Sequence, residues 1–162
     1  MTSAVGGGHR SHSKQVPDMS VTLAQASIIV DTALQKAREI NCAPLTVAVL
    51  DSGGHLVAFK REDRSGILRP DIAIGKAWGA LGMGFGGREF AERATKMPAF
   101  ITALAVASHG RVIPVPGGVI INDAGGHILG AVGISGDTSD RDETCALAGI
   151  EAAGLKPVTG VS

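Results

Sequence analysis

The hexapeptide Asp51-Ser52-Gly53-Gly54-His55-Leu56 recurs as Asp123-Ala124-Gly125-Gly126-His127-Ile128. An imidazole at the same place in each copy is a candidate ligand for a metal or a haem iron, should the two copies lie side by side. A metal site would still need further ligands and partners behind them, so no metal site is assigned. Turn chemistry accounts for the repeat more simply. Asp accepts from nearby backbone N–H groups and paired glycines allow positive φ, so each copy reads as a hairpin turn.

Lys76 lies among Ile72, Ala77 and Ala80. A desolvated amine has a lowered pKa and can serve as a base or form a Schiff base; the plainer alternatives are snorkelling or a single salt bridge. Arg61, Arg64 and Arg69 cluster around Glu62 and Asp63 and could clasp a carboxylate or propionate bidentately, or simply form a solvated charged loop. Pro116-Gly117-Gly118 and Gly133-Ile134-Ser135-Gly136-Asp137 stand at strand ends, where backbone amides suit a small anion. Asp137, Asp140, Asp142 and Glu143 crowd the second site and complement the following helix dipole, which disfavours phosphate. Gly82-x-Gly84-x-x-Gly87 matches a dinucleotide fingerprint in letters only, because a helix rather than a strand precedes it. His109, before Gly110, is placed to interact with a helix C-terminus.

The elements that must position these groups follow from periodicity. Leu23, Ala26, Val30, Ala33, Leu34, Ala37 and Ile40 form a helical stripe. Thr22 and Gln25 have capping-box spacing, and Asn41 with Pro44 ends the helix. Residues 45–50 and 55–62 are strand-like, as are 118–122 and 127–135. A helix is predicted over 71–83, with Gly75, Gly79 and Gly82 on one smooth face that a packed helix, a second subunit or the chain's own sheet could approach. Helix resumes over 88–94 and 98–108, with Phe100, Ile101, Leu104 and Ala105 facing inward. Residues 111–118 read as extended. Asp140 and Glu143 have the spacing of a cap and its partner at the start of a last helix. Helices interleaved with hairpins predict an α+β fold, an antiparallel sheet with helices packed on it.

One domain is expected over 20–156, with a mobile polar tail at 1–19 containing His9 and His12 and a short tail at 157–162. Fifteen basic residues balance fifteen acidic ones and aromatics make up 3 %, with no Tyr. Neither an electrostatic nor a stacking case for nucleic acid exists. No apolar run reaches the ~18 residues of a membrane span, and the start lacks the apolar core of a secretory signal, so the expectation is a cytoplasmic chain with no membrane partner. Cys42 and Cys145 are expected as two reduced, buried thiols.

The runs TVAVLDSGGHLVAFKRED, IAIGKAWGAL, RVIPVPGGVII and GHILGAVGISGDTSDRDETCALAGIEA together resemble the GlcG/HbpS-like family, which includes the C-terminal domain of PduO-type proteins. The likeness spans about Ser20 to Leu155. It implies a profilin-like α/β sandwich around a five-stranded antiparallel sheet, assembled as dimers or larger homo-oligomers. Some members bind haem or corrinoid-related ligands, and no single ligand motif marks haem binding across the family. Two functional readings follow. In the first, the protein binds haem or another flat, carboxylate-bearing small molecule, with His55 or His127 ligating and Arg61 or Arg69 pairing with carboxylates. In the second, it is an enzyme without an organic cofactor, acting on a small oxo or hydroxy acid or an aromatic catabolite. Lys76 or His55 would then move a proton, Arg69 would hold the carboxylate, and the Gly117 and Gly118 amides would stabilise an enolate-like oxygen.

Overall fold

The computed structural model describes residues 19–160, so nearly all of the expected N-terminal tail, including His9 and His12, lies outside them. The elements are α1 (Leu23–Glu39), β1 (Thr46–Asp51), β2 (Leu56–Arg61), α2 (Arg69–Met83), α3 (Gly87–Lys96), α4 (Pro98–Ala107), β3 (Gly118–Asn122), β4 (Ile128–Ser135), α5 (Ser139–Ala152) and β5 (Lys156–Val158). The strands form one sheet in the order β2-β1-β4-β3-β5, antiparallel at every pairing. No helix among the described residues is long and apolar enough to cross a membrane.

Local chemistry explains the hairpins and the first helix. Asp51 Oδ1 accepts from the N–H groups of Gly53 and His55, and Asp123 Oδ1 accepts from that of His127. Gly54 and Gly126 take φ of 82° and 86°, a region that L-residues avoid. Thr22 caps α1 in a full capping box with Gln25, and Asn41 adopts a positive φ beyond its end.

Strand alternation builds two layers. Val47, Val49, Val119, Ile121, Val132 and Ile134 join the buried residues of α1 and α5 in the larger core. On the other face Leu50, Ile120 and Ala131 meet Ala77 and Ala80 of α2. That second face is small-residued for a reason. A methyl group added at Gly133 would collide with the carbonyl oxygen of Ala73, and one at Gly118 with that of Lys76. The two glycines let the backbone of α2 lie directly on the sheet.

The structure revises four expectations. Segment 111–117 is not a strand; it folds back along α2, and the fifth strand comes from Lys156–Val158, which pairs with β3 and straddles the expected boundary at 156. The glycine face of α2 is met by the chain's own 111–113 segment at Gly75 and Gly79, while Gly82 has open space beside it. Neither a second subunit nor the sheet is needed to explain Gly75 and Gly79. In α4 no residue is buried; Phe100 and Ala105, expected to face inward, are exposed. A helix with inward periodicity needs a partner to cover it, and the chain supplies little. Finally, Thr138 rather than Asp140 caps α5, because the helix already begins at Ser139 and Asp140 falls inside its first turn, where it accepts from Arg88.

Two glycine substitutions should therefore behave oppositely. Gly133→Ala forces the helix off the sheet and should lower the urea-unfolding free energy by about 3 kcal/mol or more, the upper end of overpacking costs. Gly82→Ala meets nothing and should raise it by up to about 1 kcal/mol through helix propensity.

Candidate functional site

Close seating of α2 carries Lys76 into the interior. The amino group donates to Asp142 Oδ2 at 3.0 Å and to the Ile134 carbonyl at 2.9 Å, and the two side chains are 4 % and 1 % exposed. Asp142, in the first turn of α5, accepts the Asp137 N–H on its other oxygen at 3.1 Å. Gly117 closes the site. At φ 104° its missing Cβ would stand 2.9 Å from Lys76 Nζ, and its carbonyl accepts from Ile134 N–H at 2.9 Å. Burial pulls the Lys76 amine below its usual pKa, with Arg69 adding to the pull and Asp142 opposing it. Burial likewise pushes the Asp142 carboxyl up, against the attraction of Lys76. The geometry is that of a satisfied ion pair at the end of the sheet where β4 leaves and β3 enters.

Arg69, at the start of α2, donates to Ser135 Oγ at 3.1 Å. Ser135 lies opposite Thr46, which lies opposite Arg61 on the other side. Thr46 shares a buried hydrogen bond with Ser65 at 2.8 Å, and Arg61 donates to the Ser65 carbonyl at 3.2 Å. Arg61 and Arg69 thus reach the same end of the sheet as Lys76, Gly117 and Gly118, and neither pairs with a carboxylate among the described residues. Glu62 is taken by Arg38 and the Leu45 N–H.

His55 and His127 are elsewhere. Asp51 pairs with Gly130, which puts both hairpin turns together at the opposite end from Arg61 and Arg69. The two imidazoles are 82 % and 73 % exposed, and each rests against the Asp of its own turn, at 3.3 and 3.0 Å. A ligand site made of either histidine with Arg61 or Arg69 is therefore not assembled within one chain, and His55 does not join Lys76. The physical reason is the antiparallel register, which sends each turn and the far ends of its strands to opposite edges. Among the described residues no group of three or more His, Cys, Asp or Glu could hold a metal ion.

Three features escaped the sequence reading. Asp142 was read as a helix-dipole acid, although a lysine in apolar company signals that a buried countercharge must exist. Arg88 donates to Glu143 at 2.7 and 2.9 Å and to Asp140 at 2.6 Å, leaving Glu143 Oε2 buried without a partner among the described residues. The third is a cleft of about 440 Å³ on the outer side of α2, lined by Trp78, Arg111, His109, Asp71, Ile72 and Ile113 among others. The Arg111 guanidinium lies 4.1 Å from the centre of the Trp78 ring system. A second cavity of about 150 Å³ runs from Trp78 to Leu104 of α4. Cys42 and Cys145 are free and buried; burial raises both thiols, Cys145 to about 12, which leaves them protonated and unreactive.

A five-stranded antiparallel sheet with α1 and α5 on one face and α2 seated on glycines on the other defines an α/β sandwich domain. The chain belongs to the HbpS-like family, whose description is haem-degrading protein HbpS-like and whose model matches residues 21–151. A 15.0 kDa protein from the dhaT–dhaS intergenic region of Citrobacter freundii is 33 % identical over 129 residues, covering 78 % of this chain and 87 % of that one. Among solved structures, a PduOC:heme complex superposes with a TM-score of 0.77 at 22 % identity, covering 88 % of this chain and 99 % of that one. HbpS superposes at 0.70 and 25 % identity, over 92 % and 97 % of the two chains.

Removing one member of the buried pair should leave the other uncompensated. Lys76→Met and Asp142→Leu should each cost about 3–5 kcal/mol in urea unfolding, and the double variant should recover much of that loss. Two single losses that simply add would show that the groups do not act as a pair.

Proposed function

We propose that this protein binds a flat, carboxylate-bearing small molecule, haem foremost, and does so as a homo-oligomer. The observation that carries the reading is the family match over residues 21–151. The fold it shares with a domain solved as a heme complex adds support. The residues present are compatible with such a group: the cleft beside α2 joins apolar walls, an indole, an imidazole and a guanidinium. Its volume lies within the ~300–1,000 Å³ of small-molecule pockets. Bound haem would supply an iron centre; the chain's part is to shelter the macrocycle, offer an imidazole and neutralise carboxylates. A corrinoid is the alternative macrocycle. Proton transfer by Lys76 on a small acid receives less support, because its amine is already engaged by Asp142 and the Ile134 carbonyl.

The oligomer rests on α4. Its ten residues, PAFITALAVA, carry no charge, and none is buried. Val106 is 74 % exposed and Phe100 46 %. An apolar helix left open in this way favours association with a copy of itself, since contiguous apolar surface is rare on monomers.

Titration of the full chain with hemin should give a saturable Soret band at one equivalent per chain. A spectrum that remains the sum of protein and free hemin would remove haem as the ligand. On a sizing column the wild type should elute larger than 16.4 kDa, and Val106→Glu should elute smaller while keeping its circular dichroism. A monomeric wild type at micromolar concentration would overturn the oligomer.

A further inference from the structure

We infer that the cleft between α2 and segment 108–113 is the ligand site, with His109 as the group that meets the iron of a bound haem and Arg111 as the clasp for its carboxylates. The inference rests on the haem-binding reading above.

Three histidines lie among the described residues, and they differ in what their rings do. Those of His55 and His127 are held by Asp51 and Asp123 on exposed turns. The ring of His109 makes no hydrogen bond or ion pair among the described residues, and it lines the cleft. Its place is set by the end of α4. His109 and Gly110 take consecutive left-handed conformations, at φ 54° and 75°. Their N–H groups close back on Val106 and Ala105, and Arg111 N–H on Ser108. This double turn reverses the chain, so that 111–113 runs along α2 over Gly75 and Gly79. An imidazole without a hydrogen-bonding partner on the wall of a cleft is available to ligate iron.

Arg111 supplies the second element. It makes no salt bridge among the described residues; its guanidinium rests on the Trp78 indole at 4.1 Å. A planar cation on an aromatic face is held in place yet keeps its in-plane N–H donors available for a carboxylate. Asp71 is the one acid on the cleft wall. It has no partner among the described residues, and it disfavours a ligand charged on every side. The cleft therefore suits a flat apolar body with its negative charge gathered at one end, against Arg111. Leu68, Ile72 and Ile113 supply the apolar walls.

The discriminating experiment is hemin titration of the full chain followed by its absorption spectrum. His109→Gly is the variant of choice, because glycine accepts the left-handed backbone at that position and circular dichroism can confirm the fold. Relative to wild type it should lose the histidine-ligated Soret spectrum and bind hemin at least tenfold more weakly, and added free imidazole should restore the spectrum. Arg111→Gln should weaken hemin binding several-fold without altering the ligation spectrum. Wild type that binds hemin while His109→Gly binds with an unchanged spectrum would overturn this assignment and leave the haem reading standing. So would loss of the spectrum in His55→Ala or His127→Ala instead. Wild type that binds no hemin would overturn the haem reading itself, and the assignment with it.

Discussion

The seat of α2 on the sheet governs the rest of this molecule. Two strand residues, Gly118 and Gly133, present no side chain to the helix, so its backbone carbonyls at Lys76 and Ala73 come down onto the strands. Helices normally pack 8–10 Å from their neighbours, side chain against side chain. Backbone contact brings the next residues of α2 closer than a leucine or valine layer would permit. The small residues Ala73, Ala77 and Ala80 follow from that constraint, as does the burial of a lysine otherwise long enough to reach solvent.

Burial of Lys76 then demands a countercharge, since an isolated ammonium in the interior is very unfavourable. Asp142 provides it, and the Ile134 carbonyl and Asp137 N–H complete the hydrogen bonding of the pair. The two residues belong to helices on opposite faces of the sheet, α2 and α5. Their meeting at the sheet's end ties the two layers together. Such a pair adds little net stability, because desolvation cancels most of the attraction. What it does enforce is position: α2 cannot slide along the sheet without stranding both charges.

The other side of α2 inherits the consequence. Because Gly75 and Gly79 also lack side chains, segment 111–113 runs close to the helix and leaves its cleft beside Trp78 rather than a filled interface. Helix α4, which delivers the chain to that segment, packs against little of its own domain. The proposed ligand cleft and the uncovered apolar face of α4 are therefore neighbours, separated by the indole that lines both cavities.

What the sequence determined by itself was most of what is made within a few residues, the cap of α5 excepted. Asp51 with Gly53-Gly54 and Asp123 with Gly125-Gly126 specify turns because the acceptor and the N–H groups it satisfies are at most four residues apart. Thr22 and Gln25 specify a helix start for the same reason. Hairpins interleaved with helices pointed to an antiparallel sheet with helices packed on it, and the resemblance of the longer runs supplied the number of its strands. Tertiary structure alone decided which distant groups meet. Lys76 reads as a desolvated amine, yet nothing near it in the chain names Asp142. His109 reads as a helix-end residue, yet its cleft exists only once 111–113 folds over the glycines of α2. The spacing of Phe100, Ile101 and Leu104 asks for a core, but whether a core lies there depends on what α4 packs against. The fifth strand, from Lys156–Val158, is three residues long and takes its strand character from β3 alongside it. Turns and caps are contacts of low sequence separation and can be read in order. A countercharge, a cleft wall and an edge strand are contacts across the fold, and only the packed backbone brings their members together.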